Sequence, residues 1–187
     1  MKTHTVPFRR KREGKTNYQK RLKILLSSKP RLVVRKSLGN VTAQIVEYSE
    51  KGDKIIATVT GKELKKYGWN FSMKNTCGAY LIGLLVAKKA NEKNIKAAVL
   101  DIGLNKSVPG SKIYAVLKGA VDYGLKVPHS DNVLPNEERI QGKHIEEYAK
   151  KLGDDSKSKF SGYIKSGVNP MEITKIFNEV KKKITGG

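Results

Sequence analysis

An α/β fold is predicted for this chain of 187 residues: a mixed sheet, made of an antiparallel three-strand meander plus one strand reached by a helical crossover, with helices packed on it. A basic N-terminal arm precedes it and a helical extension follows. Three observations predict this. Three short β-rich runs separated by turn residues lie between 31 and 60; an apolar segment of helical period and an apolar strand-like run come next; and the Lys/Arg excess is concentrated before residue 37. With 38% hydrophobic residues the chain has enough apolar material for one core, and its length is one domain's worth. The expected partition is an arm over 1–30, an α/β core over 31–127 and a helical extension over 128–187.

The elements follow in order. Residues 1–30 hold few apolar side chains before Leu22, too few to fold alone, so this arm is expected to order on a partner. Within it Tyr18, Arg21, Leu22, Leu25 and Leu26 fall at helical spacing, which predicts a short helix docking its leucine stripe on the body and turning Lys20 and Lys23 outward. Arg31–Lys36 reads as a first strand, Gly39-Asn40 as a turn, Val41–Tyr48 as a second strand, the Gly52 region as a turn and Lys54–Thr60 as a third strand. In the second strand Val41, Ala43 and Ile45 share one face, and Thr42, Gln44, Val46 and Tyr48 share the other. The first face is core; the mixed one is open to a helix or to RNA.

Residues 75–90 predict a helix kept slim by Gly78, Ala79 and Gly83, so that it can approach a sheet closely, with Leu81, Leu84, Leu85 and Lys88 on one side. Lys96–Ile102 is nearly continuous apolar chain, as a central strand covered on both faces requires. Ser111–Leu125 carries Ile113, Val116, Leu117, Ala120 and Val121 at the spacing of a core-facing helix. In the tail, a helix is expected to open at Glu137 and to finish over Lys143–Leu152; Gly153–Ser161 reads as a polar linker. Asn169-Pro170 then supplies an N-cap and a first-turn proline for a last helix with Ile173, Ile176, Phe177, Val180 and Ile184 as its stripe.

Charge narrows the function. Lys+Arg number 38 against 17 Asp+Glu, a formal +21. Residues 1–36 hold 13 bases and 1 acid, residues 37–150 hold 17 and 12, and residues 151–187 hold 8 and 4. Such an excess attracts polyanions. A membrane partner is disfavoured, because no apolar run reaches the roughly 18–20 residues of a span and the arm lacks an amphipathic anchor's apolar face. A secretory apolar stretch is also missing, so a cytoplasmic location is expected. The single cysteine, Cys77, excludes an internal disulfide framework and reads as a small buried group.

Catalytic chemistry finds little support. A metal-dependent RNA-processing nuclease is the rival reading, with Asp101 at the end of the apolar strand and Asp122 and Glu47 as distant companions; a loop-forming Asp101 is the plainer account. The loop Gly103–Lys112 lacks P-loop spacing. It does end at a helix N-terminus, where free N–H groups favour phosphate, beside Lys106 and Lys112. His4, His129 and His144 lack partners at metal-ligand spacing, and no nucleophile signature occurs. No catalytic residue, metal or cofactor is therefore expected. In the arm, Phe8, Asn17 and Tyr18 are interleaved with Arg9, Arg10, Lys11, Arg12, Lys15, Lys20 and Arg21, and the basic theme continues at Arg31, Arg35 and Lys36. Guanidinium forks grip phosphate and aromatic faces stack on bases, so this is an RNA-binding pattern.

Several runs carry a family resemblance: Pro7–Tyr18, Lys29–Ser37, Tyr67-Gly68-Trp69, Ala79–Leu85, Ala98–Asn105, Pro109–Lys112 and Gly124–Ser130. In this order, from Pro7 to about Leu152, they resemble the archaeal and eukaryotic branch of the large-subunit ribosomal proteins that bind 5S rRNA, the L-eighteen family; the length is similar to that of the archaeal members. The resemblance implies a structural protein of the central protuberance that holds 5S rRNA against the large-subunit 23S rRNA, with neighbouring ribosomal proteins that include a second 5S-binding protein. It also implies that Arg9, Arg10, Arg12, Lys15 and Tyr18 enter RNA grooves, and that Arg31, Arg35 and Lys36 line the RNA face of the sheet. Asn17 stands where the family commonly has Asp, and Gly39-Asn40 replaces a more basic turn.

Overall fold

The computed structural model describes residues 5–186; His4 lies outside the described residues. Four strands, β1 (Arg31–Lys36), β2 (Val41–Glu47), β3 (Lys54–Thr60) and β4 (Val99–Asp101), form one sheet in the order β3-β2-β1-β4. β1 and β3 flank β2 antiparallel, and β4 joins β1 parallel, with Leu32 opposite Ile45 and Leu100. The mixed sheet and its packed helices are those the sequence predicts. Leu32, Val34, Val41, Ala43, Ile45 and Val59 turn one face into the core, all at most 1% exposed.

That face is covered by α3 (Thr76–Glu92) and α4 (Lys112–Asp122). Asn75 caps α3 by accepting a hydrogen bond from the Gly78 N–H at 2.7 Å, which answers one of the helix's orphan donors. The single apolar side predicted for α3 proves too narrow. Twelve of its residues are buried, Cys77 through Ala87 without interruption, because α4 and the C-terminal helices enclose it together with the sheet. Its glycine also serves a different neighbour than expected: Gly83 meets the α4 backbone at Val116 and Ala120, so the slim face admits a helix rather than a sheet.

The apolar run before Asp101 departs further from expectation. Only Val99–Asp101 pairs as a strand, at the edge beyond β1, and its side chains are half-buried. The chain leading in is the buried part, with Ala98 fully enclosed and Ala97 bridging Lys126 in the segment after α4. Hydrophobicity there reports contact with the end of α4, which residue spacing alone does not distinguish from a central strand.

The chain after residue 127 returns to the same core. α5 (Glu137–Gln141) and α6 (Lys143–Leu152) are separated by Gly142, whose φ of +88° suits only glycine cheaply. The expected polar linker is instead mostly helical, with α7 (Ser156–Lys159) and α8 (Ser161–Lys165). Rings anchor it: Tyr148, Phe160, Tyr163 and Phe71 form a chain of aromatic contacts with centroids 5.4–6.0 Å apart. Asn169 accepts from the Met171 N–H at 3.1 Å and Pro170 opens a 3₁₀ turn leading into α9 (Ile173–Thr185). α9 docks on α3, setting Phe177 against Trp69 and Tyr80 at centroid distances of 6.4 and 5.6 Å. Lys88 donates to the Ile184 carbonyl at 3.1 Å, so the last helix packs on its own chain.

Candidate nucleic-acid interface

With α3 and α4 on one face of the sheet, the face carrying Thr42, Gln44 and Ile55 has no long helix against it among the described residues. On it Gln44 donates to Thr58 Oγ1 at 3.2 Å, a polar floor that a ligand can approach. The arm crosses this face. Its two helices, α1 (Arg9–Arg12) and α2 (Tyr18–Leu25), bury no residue. Asn17 caps α2 through the Lys20 N–H at 3.1 Å. The predicted stripe docks only in part: Tyr18 and Leu25 are half-buried, while Leu22 and Leu26 are 63% and 76% exposed. Lys20 and Lys23 do face solvent.

Arm and sheet enclose a groove of about 1190 Å³. Its floor includes Val33, Arg35, Gln44 and Val46, its walls the arm from Thr16 to Ile24 and the loop from Ile102 to Asn105. Seven cations line it, Arg10, Lys15, Lys20, Arg21, Arg31, Arg35 and Lys36, against two acids, Asp53 and Asp101. The acids are occupied. Arg21 Nη1 and Nη2 donate to Asp53 Oδ2 and Oδ1 at 2.9 and 2.8 Å; Arg31 Nη2 donates to Asp53 Oδ2 at 2.6 Å and Nη1 to Asp101 Oδ2 at 2.9 Å. Burial works to raise the Asp53 pKa, but the hydrogen bonds from Arg21 and Arg31 outweigh it and hold the carboxyl below the usual carboxylate range. The bond to Asp53 in turn raises the Arg21 guanidinium.

This geometry separates the predicted site residues. Arg10, Lys15, Tyr18, Lys20, Arg35 and Lys36 line the groove, while Arg9, Lys11 and Arg12 are exposed on α1. Phe8 packs on Tyr18 with centroids 5.1 Å apart, an aromatic pair at the groove's rim. Arg31 lines the groove as well, but at 3% exposure its guanidinium is held between the Asp53 and Asp101 carboxylates. Lys106 lies exposed on the loop beyond Asn105. Lys112 gathers with Lys36, Ser111 and Arg139 around a second pocket of about 180 Å³ at the start of α4. Asp53 and Arg139 were not singled out from the sequence. Asp53 reads there as an ordinary turn residue, and nothing local ties Arg139 to a loop thirty positions earlier.

The carboxylates of the nuclease reading are dispersed. Asp101 is held by Arg31 and accepts from the Gly103 N–H at 2.9 Å, the loop-forming role. Asp122 accepts from the Tyr80 hydroxyl at 2.8 Å and pairs with Lys118. Glu47 is exposed at the end of β2. Among the described residues no group of three or more His, Cys, Asp or Glu could hold a metal ion, and no helix is long and apolar enough to cross a membrane. Cys77 is enclosed, and burial pushes its thiol up to about 12.

An α/β sheet with helices on one face and a cationic arm across the other presents a basic surface of the class that attracts polyanions such as nucleic acid. A family model described as ribosomal large subunit proteins 60S L5, and 50S L18, matches residues 2–97 and 88–130. The chain belongs to this family of large-subunit ribosomal proteins.

Proposed function

We propose that this protein is a structural, non-enzymatic component of the cytoplasmic large ribosomal subunit that binds 5S rRNA in the groove between arm and sheet. It helps fasten that RNA to 23S rRNA in the central protuberance, beside neighbouring ribosomal proteins that include a second 5S-binding protein. Arg9, Arg10, Lys11, Arg12, Lys15, Lys20, Arg35 and Lys36 meet phosphates, Lys106 and Lys112 extend the contact past the sheet's edge, and Tyr18 offers a stacking face. Residues 1–30 act as the gripping arm, 31–127 as the rigid platform and 128–187 as its brace.

The observation that carries this reading is the open sheet face roofed by the arm, where Lys20, Arg35 and Lys36 make no ion pair with a carboxylate among the described residues. A filter-binding titration of 5S rRNA across salt concentrations tests it. Each phosphate neutralised adds about 0.7–0.9 to the slope of log affinity against log salt, so deleting residues 1–16 lowers both affinity and slope. An unchanged slope rejects the arm's role, and equal affinity for an arbitrary hairpin rejects 5S rRNA as the specific partner.

A further inference from the structure

Whether the arm is in place before RNA arrives is decided by what holds it. α2 has eight residues, none buried, and an isolated helix shorter than about 12–15 residues is marginal in water. The arm and first strand, residues 1–36, hold 13 bases and 1 acid, so the arm is repelled by Arg35 and Lys36 beneath it. Two acids inside a polyanion-binding groove weaken phosphate binding unless they have another task. Here they have one: Arg21 on α2, Asp53 at the β2–β3 turn, Arg31 on β1 and Asp101 on β4 form one unbroken chain of hydrogen-bonded charges at 2.6–2.9 Å. Its buried half is fixed, since Arg31 sits between two carboxylates at 3% exposure. Asp53 thereby offers a preset two-oxygen fork that fits a guanidinium bidentately.

We propose that Asp53 is a positioning residue that latches α2 across the open sheet face in the free protein, so that the groove is formed before RNA binds and Arg21 serves Asp53, not a phosphate. The proposal rests on the groove being the RNA site. It reverses the expectation that the whole arm orders only on its partner: α1 is left to do so, whereas α2 is held. A pre-ordered wall raises affinity by removing an ordering cost from the binding step.

Hydrogen exchange and 5S rRNA titrations on the full chain test this with Arg21→Gln and Asp53→Asn. The latch requires that the α2 amides, such as Leu26 N–H bonded to the Leu22 carbonyl at 3.1 Å, are protected in the RNA-free wild type. In both variants that protection falls roughly tenfold or more while β1 and β2 amides keep theirs, and RNA affinity falls roughly tenfold. The salt slope for Arg21→Gln stays within a few tenths of wild type, where a lost phosphate contact removes about 0.7–0.9. Arg21→Gln leaves Arg31 between its two carboxylates, so it carries the test if Asp53→Asn fails to fold. Peptide-like exchange of α2 in the wild type, protection unchanged in Arg21→Gln, or a slope reduced by a full contact overturns the latch. An Arg35→Gln/Lys36→Gln variant that binds RNA like wild type overturns the groove reading itself, whatever α2 does.

Discussion

Replacing Gly83 with Ala tests the closest approach in the core. A Cβ added there lies 2.1 Å from the Val116 carbonyl oxygen and 3.0 Å from the Ala120 nitrogen; reciprocally, one on Gly119 of α4 lies 2.1 Å from the Tyr80 oxygen. Close carbon–oxygen contacts sit near 3.3–3.6 Å, so α3 and α4 must part by about 1.2 Å or more. The obstructing atoms are helical backbone, which cannot swing aside as a side chain would. Overpacking a core costs about 1–3 kcal/mol and occasionally more, and this site belongs at or above the upper end, near 3 kcal/mol. Alanine's better helix propensity returns about 0.8–1.0 kcal/mol. The net loss is about 2 kcal/mol, or roughly 4–8 °C in Tm for a chain of this size. Urea unfolding followed by circular dichroism reads it as a lower midpoint at unchanged m. Gly39→Ala, where an added Cβ meets nothing within 4 Å, is the control and shifts stability by less than about 0.5 kcal/mol. A Gly83→Ala protein as stable as wild type would refute the backbone-to-backbone packing of these helices.

Further outcomes follow from the site and the core. Asp53, facing Arg21, Arg31 and, through Arg31, Asp101, has a folded pKa below its unfolded value near 3.9. Its stabilisation is therefore complete above that value and lost as pH falls through the lower folded value; a carbon-detected NMR titration that places the Asp53 midpoint at or above 3.9 contradicts the network. Cys77, buried with its thiol pushed up to about 12, should resist an aromatic disulfide reagent at pH 8 and react promptly in urea, and rapid labelling of native protein would show the α3 environment to be open. Tyr18→Ala should weaken 5S rRNA binding by about 1–3 kcal/mol if its ring stacks on a base, with little change in salt slope; unaltered affinity would leave Tyr18 as Phe8's packing partner alone.

Much of the fold was legible because it is written in local pattern. The alternation Val41-Thr42-Ala43-Gln44-Ile45 identifies a strand with one core face and one open face, and Asn169 announces its helix start because capping is a contact between neighbours in sequence. The helix at α3 and the strand within Lys96–Ile102 are both present, but how each is covered departs from expectation for a shared reason. Apolar residues report that a segment is buried but not what buries it, and a helix clasped on several sides or an edge strand with a buried lead-in looks like a simpler element. Leu22 and Leu26 depart in the opposite sense: their spacing makes a stripe, yet both are exposed, while Arg21 beside them pairs with Asp53.

By itself the amino-acid sequence determined the class of this protein, through a lopsided distribution of charge, an interleaving of aromatics with arginines and a meander with one mixed face. These properties depend on which residues are near each other along the chain. Only the tertiary structure decided which cations remain available. Arg21, Arg31, Arg35 and Lys36 are equivalent by composition, but Asp53 and Asp101 reach the first two across 32 and 70 positions of chain and leave the others open in the groove. Coulombic pairing acts over a few ångströms of space, and those ångströms are set by the packing of the sheet.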